Sequence, residues 1–383
     1  MKQLIGLGIL LTALVVCSAC GQRPGNGQVD ANEATAPPIP VDIEETIKQR
    51  VFAAGNLYQS SSQFFPLRTE KQVETGAGDV DSFVYPVSLC LSNKNVIYIS
   101  DNNAHSIRFR ERDSETLGTL PKNPGTHGSL VWPNAIHSWG DSLFVSDDEG
   151  IKIFGADGSF QKLLRTYYLI KEFTIAGDGT VYINPAFRDA AASKPLIVGL
   201  NRHGTKVKEF GKRVHDQSFM GLDDQAFLST SGSSLFAVFK HRPVINIYRS
   251  NGELYRTLSI NHPIFSALKS LSTDRSFTHP VPNKFRLPIF VAGATLIGER
   301  LFVLLHLPVP EIVEFDLEGQ ETGRYRADTS SPITDYRGFD GQVVGNNYQF
   351  WTIQRKAKSF ALLKFTGQRS AGALAISMKR SSL

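Results

Sequence analysis

The side chains best equipped for chemistry in this chain follow the second apolar stretch of several similar segments. One segment places Asp101 and His105 there, and the next places Asp147, Asp148 and Glu149. Later segments place Lys240, His241 and Arg242, then His306, then Arg355, Lys356 and Lys358. Carboxylates and imidazoles are the groups used for proton transfer and metal ligation, and lysine and arginine bind anions. The acids come early and the bases late. If the segments are arranged around one face, one side of it is acidic and the other basic, and such a mouth orients an anionic or dipolar ligand. Solvated loop charge accounts for the same residues.

Metal ligation and known catalytic frameworks find little support. His105, His127, His215, His241, His262, His279 and His306 align to the same face, but none sits in an HxH or HxxxH spacing. No GxSxG elbow, GxxxxGK[ST] loop or HExxH pair occurs. No metal site and no cofactor is therefore assigned.

The elements that must hold these loops recur about six times. The clearest copy is "NAIHSWGDSLFVSDDEGIKIFGADGSFQKLL", from Asn134 to Leu164. The anchors Ile107, Ile151, Leu196, Val244, Ile312 and Leu362 lie mostly about 44 to 50 residues apart. The gap between Val244 and Ile312 is longer by about 20 residues, which marks an insertion. Within each copy the stretches are short, rich in β-branched and aromatic residues, and alternate with period two, as in Ile97 and Ile99 against Tyr98 and Ser100. Gly140-Asp141, Asp157-Gly158 and Asn251-Gly252 punctuate them, because Gly, Asn and Asp accept the positive φ of tight hairpins. Each copy reads as a meander of about four antiparallel strands. A lone sheet of that size leaves a face uncovered, and a ring of such sheets does not.

"IYISDNNAHSIRFRE", "LFVSDDEGIKIFGADG" and "EIVEFDLEGQ" resemble NHL-type repeats. The resemblance spans roughly Phe83 to the C-terminus and implies an all-β fold, a six-bladed β-propeller of four-stranded antiparallel blades. The third unit lacks the Asp after its second strand, and the fourth and sixth carry basic residues there. Six-bladed relatives include metal-dependent lactonases and amidating lyases, whose ligands do not map onto this chain residue by residue.

The N-terminus "MKQLIGLGILLTALVVCSACGQ" has Lys2, an apolar core and small residues before a cysteine, the pattern of a secretory signal. Ser18-Ala19-Cys20 resembles a bacterial lipobox, with Cys20 lipidated and Cys17 where Leu is usual. By resemblance to Gram-negative lipoproteins, Gly21 favours the outer membrane. The domain reading is a lipoprotein signal peptide over 1–20, a flexible tether over 21–45 and the propeller over 46–383. The tether is rich in Gly, Pro, Asn and Ala and cannot bury enough surface to fold. A first strand such as Asn56–Leu67 is expected to close the ring against the last blade.

Of three cysteines, two lie in the signal region, so Cys90 has no partner for a disulfide. Placed between Leu89 and Leu91, it reads as a small buried hydrophobe. The formal net charge of +5 is mild, and no long Lys/Arg run points to nucleic acid. Asn261–Pro288 carries His262, Lys269, Arg275, His279, Lys284 and Arg286 against Asp274. It is a candidate lid or arm over the channel mouth, or a neutral insertion. The leading expectation is a lipid-anchored, non-enzymatic envelope protein. It binds a protein partner or an anionic small ligand through a face bearing Asp101, His105, Asp147, Lys240, His241, His279, His306 and Arg355. The alternative is a metal-dependent hydrolase or lyase of lactonase type.

Overall fold

The computed structural model describes residues 64–76, 83–111, 114, 116–120, 128–186, 194–213, 224–262, 265, 289–307, 309–327, 335–355 and 359–369. The chain divides into two units, Gln63–Asn261 with Ile289–Leu383, and Met1–Ser62 with His262–Pro288. The first holds every strand among the described residues. Of the second, His262 and Phe265 are described, with ring centroids 5.4 Å apart. Cys20, His279, the tether and almost all of the Asn261–Pro288 insertion lie outside the described residues. No helix among the described residues is long and apolar enough to cross a membrane.

Strand β1 is Phe65–Gly76. The first meander is β2 (Pro86–Leu91), β3 (Val96–Asp101), β4 (Ser106–Glu111) and β5 (Gly118–Leu120). The second is β6 (Ile136–Trp139), β7 (Ser142–Asp147), β8 (Gly150–Gly155) and β9 (Phe160–Arg165). The third is β10 (Leu169–Ile175), β11 (Val181–Ala186), β12 (Pro195–Leu200) and β13 (Lys206–Lys212). The fourth is β14 (Ala226–Ser231), β15 (Ser234–Phe239), β16 (Val244–Arg249) and β17 (Leu254–Ser259). The remaining strands are β18 (Val291–Ile297), β19 (Arg300–Leu305), β20 (Glu311–Phe315), β21 (Glu321–Ala327), β22 (Asp335–Val344), β23 (Asn347–Arg355) and β24 (Ser359–Gln368).

Each of the first four meanders is a separate four-stranded antiparallel sheet. Their first strands pack in sequence, β2 on β6, β6 on β10 and β10 on β14, and then β14 on β18, β18 on β22 and β22 back on β2. Sheets radiating from a closed circle of inner strands make a β-propeller.

The expectation of six separate four-stranded blades needs correction. Four blades are separate, and the other eight strands form one sheet in the order β18-β19-β20-β21-β1-β24-β23-β22. The physical cause is β1. It runs antiparallel to β24 over Arg68–Gly76, and its first residues, Phe65–Leu67, pair in parallel with Tyr325–Ala327 of β21. The ring is thus tied by an N-terminal strand on the last meander, as expected; the described strand is Phe65–Gly76, and 56–63 of the expected Asn56–Leu67 lie outside the described residues.

Burial follows position within a blade. Second strands have both faces covered by neighbouring blades, so they read as nearly unbroken apolar runs, such as Leu301–Leu305, all buried. Fourth strands β13 and β17 at the rim are largely exposed and carry Lys and Arg. The cores lie between blades. Tyr98, Ile107 and Leu120 pack with Ile136, Val145 and Phe154, and Ile97 and Ile99 with Trp351 and Leu362.

Candidate ligand-binding channel

Residues of all six inner strands line a cavity of about 210 Å³. Polar groups reach it from around the ring: His137 and Ser138 on β6, Thr174 on β10, Ser229 and Thr230 on β14, and Asp340 on β22. These residues lie toward the C-terminal ends of the inner strands, where short turns lead to the second strands. The cavity is therefore associated with the plain-turn end of the channel, not with the loop-rich end that the charge pattern favoured.

A repeated irregularity shapes the inner strands. The register of β2, β10, β18 and β22 slips by one residue at Val87, Lys171, Ala292 and Gly338. Such bulges bend a strand and re-aim the next side chains. At Gly338 the backbone adopts φ +60°, and a Cβ there would lie 2.6 Å from the Leu89 nitrogen. Only glycine lets β22 come this close to β2.

Asp340 profits from that approach. Its carboxylate accepts N–H groups from Leu91 and Gly341, both at 2.8 Å, and the Thr295 hydroxyl at 2.6 Å. One side chain thus joins β18, β22 and β2. Burial pushes its pKa up despite those three donors. Burial also drives the Cys90 thiol well above its ordinary value, with Asp340 adding to the effect. His137 is pushed down to about 4 by burial, partly offset by the Phe173 backbone, and its ring meets Phe173 edge-on at 4.8 Å. Glu172 precedes Thr174 by two residues and shares its face of β10. Burial raises it to about 8, against the pull of Lys240.

The wall's hydroxyls divide into two groups. Thr230 donates to the Ile175 carbonyl at 3.1 Å and Thr295 donates to Asp340, so both fix the wall. Ser138, Thr174 and Ser229 make no side-chain hydrogen bond to protein among the described residues, and Thr174 and Ser229 are only 6% and 8% exposed. No group of three or more His, Cys, Asp or Glu able to hold a metal occurs among the described residues.

The residues singled out from sequence are largely engaged elsewhere. Asp101 is fully buried at the end of β3 and accepts the Val84 and Tyr85 amides at 2.8 and 2.7 Å. Asp147 accepts the Val131 and Glu149 amides and the Lys152 ammonium at 2.7 Å. Each carboxylate pins the loop entering its own blade. At the corresponding register position the third blade has Pro185, which cannot do this. His105 is exposed at φ +51°, and its Nδ1 accepts the Trp132 amide at 3.2 Å. His241 and His306 are buried. The Lys240 carbonyl accepts the Phe290 and Val291 amides, and Arg355 lies 5.9 Å from the Tyr85 ring. Neighbouring Arg242 is matched by buried Asp224 at 2.9 Å.

Lys152, a lysine inside the apolar stretch "GIKIFG" of β8, is a structural residue that the loop charge pattern does not point to. It is fully buried, and its ammonium also reaches the Ser129 carbonyl at 2.6 Å and Glu149 at 2.5 Å. Nor does that pattern point to the residues that bridge blades. Ser100 donates to the Asn134 carbonyl, Ser146 to that of Ile170, and Asn184 holds Asp224 and Ala226 of the next blade.

No family model matches the chain, and no curated protein matches it in sequence. Solved structures resemble it at low identity. Virginiamycin B lyase from Staphylococcus aureus, in a catalytically inactive form with quinupristin, shares 10% identity at TM-score 0.47, covering 78% of this chain and 99% of that one. A gluconolactonase from Xanthomonas campestris shares 11% at TM-score 0.45, over 78% and 99% of the two chains. The Pan2 WD40 domain of Neurospora crassa shares 10% at TM-score 0.46, over 77% and 95%.

Proposed function

We propose that this chain is a lipid-anchored binding protein of the bacterial cell envelope whose central channel takes up a small ligand. The eight-stranded sheet counts in this reading as two blades joined by β1, giving a six-bladed, NHL-like ring. The observation that carries the binding function is the convergence of six inner strands on a polar cavity, where the hydroxyls of Ser138, Thr174 and Ser229 bond no protein group among the described residues. Preformed concave sites with a few convergent polar groups are where small ligands bind. The loop-rich face is the weaker candidate, because Asp101, Asp147 and Arg242 are committed to structural bonds. The anchor rests on the sequence around Cys20 and the tether after it.

Two measurements test the reading. Thermal shift of the full chain in detergent is run against a library of small metabolites, beside Ser229→Trp, which fills the channel. A compound that stabilises the wild type and not the variant supports channel binding; stabilisation of both alike rejects it. For the anchor, Cys20→Ala should lose fatty-acid labelling and leave the membrane fraction. Unchanged labelling and fractionation would refute it.

A further inference from the structure

We infer that the channel selects a neutral, polyhydroxylated ligand of about monosaccharide size, and that Thr174 and Ser229 are its hydrogen-bonding determinants. The inference rests on the channel reading above and adds the ligand's class.

Size comes first. The cavity measures about 210 Å³. That is below the pockets of about 300 Å³ and more that enclose drug-sized molecules.

Charge comes second. Among the described residues the cavity wall contains no Lys, Arg or Glu, and its ionisable members are Cys90, His137 and Asp340. Three of the about four acceptor positions of the Asp340 carboxylate are taken by donors of the wall. Burial favours the uncharged form of all three residues. A ligand carrying a full charge would lose its hydration there and find no countercharge, a loss far larger than that of a hydroxyl.

Hydrogen bonding comes third. Thr174 and Ser229 are more than nine-tenths buried, line the cavity, and use neither hydroxyl on protein among the described residues. They sit on adjacent inner strands, with Ser138 on the strand before. Hydroxyls both donate and accept, so a wall of them matches a ligand whose own groups do the same. The apolar members Leu89, Ile175, Leu296 and Phe339 suit the C–H faces of a sugar ring.

The test uses three pyranoses that differ in charge: D-glucose, D-glucuronate and D-glucosamine. Each is titrated calorimetrically into the detergent-solubilised full chain at pH 7. We expect glucose to bind and both charged sugars to bind at least about tenfold more weakly. Thr174→Val and Ser229→Ala should each weaken glucose by about fivefold or more with unchanged thermal midpoints. A charged sugar binding as well as glucose, or none of the three binding, overturns the neutral-polyol inference. The channel reading is judged separately by whether Ser229→Trp blocks any stabilising compound. Glucose binding that survives both Ser229→Trp and Thr174→Val would overturn the assignment to these residues.

Discussion

The Asp340 carboxylate on β22 accepts the Leu91 amide of β2 at 2.8 Å, across 249 residues of chain. β2 opens the first blade and β22 the last meander, so this bond spans the seam where the circle closes. The same carboxylate holds Thr295 on β18, which makes one side chain a fastener for three inner strands.

Removing that fastener should be costly. Asp340→Ala leaves the Leu91 and Gly341 amides and the Thr295 hydroxyl buried without an acceptor. We expect a loss of about 2–4 kcal/mol, measured by urea denaturation. Asp340→Asn keeps one acceptor oxygen and should cost less than half as much. Equal losses in the two variants would contradict this role.

Glu172 and His137 give stability a distinctive pH dependence. Glu172 ionises near its ordinary 4.5 when unfolded and only at about 8 when folded. Between those values the folded state holds the extra proton, so stability falls as pH rises. His137 binds a proton near 6.5 when unfolded and at about 4 when folded. Between those values the unfolded state holds the extra proton, so stability rises with pH. The two slopes oppose each other from about 4.5 to 6.5, and from 6.5 to about 8 the Glu172 loss is no longer opposed by His137. Glu172→Gln should flatten the decline above pH 6.5 in denaturation midpoints taken from pH 4 to 9. An unaltered decline would rule out Glu172 as its source.

The fold was legible because its signals are local. Period-two alternation in "VIYISD" and "SLFVSD" and the turns at Gly140 and Gly158 dictate strands and hairpins within a single unit. What closes the ring is not local. The parallel pairing of Phe65–Leu67 with β21, which merges eight strands into one sheet, depends on partners about 260 residues away, and no turn residue announces it. The site was misread for a related reason. Asp101 and Asp147 carry charge at a loop, which sequence alone places in solvent. Backbone amides from Val84, Tyr85 and Val131 arrive only once the inter-blade loop folds back. Ser138, Thr174 and Ser229, by contrast, are small polar residues with no distinguishing pattern until six strands bring them together.

Lys152 tests whether a buried charge in the wall of a blade is structural. Its partners Asp147 and Glu149 are acidic, and Asp147 is itself buried. Lys152→Ala should destabilise by about 3–5 kcal/mol, because an unpaired carboxylate is left in the interior. Lys152→Met combined with Asp147→Leu should recover part of that loss, though the Val131 and Glu149 amides then lack their acceptor. A double variant no more stable than Lys152→Ala would show that the amides, not the charge pair, dominate.

The strand that merges the two meanders offers the sharpest test of how the ring is held. Leu67 is fully buried among Tyr325, Tyr348 and Phe365, so β1 contributes core as well as hydrogen bonds. Leu67→Ala should cost about 2–5 kcal/mol through the cavity it leaves. Deleting 64–76 should do more. It removes the only link between β21 and β24 among the described residues and bares the backbone of β24 as an open edge. Such an edge is a template for pairing with another chain. We expect a lower thermal midpoint together with dimers or larger species by size-exclusion chromatography with light scattering. A deletion variant that stays monomeric with the wild-type midpoint would show that the ring is held by its inner strands alone, with Asp340 and Leu91 at the seam.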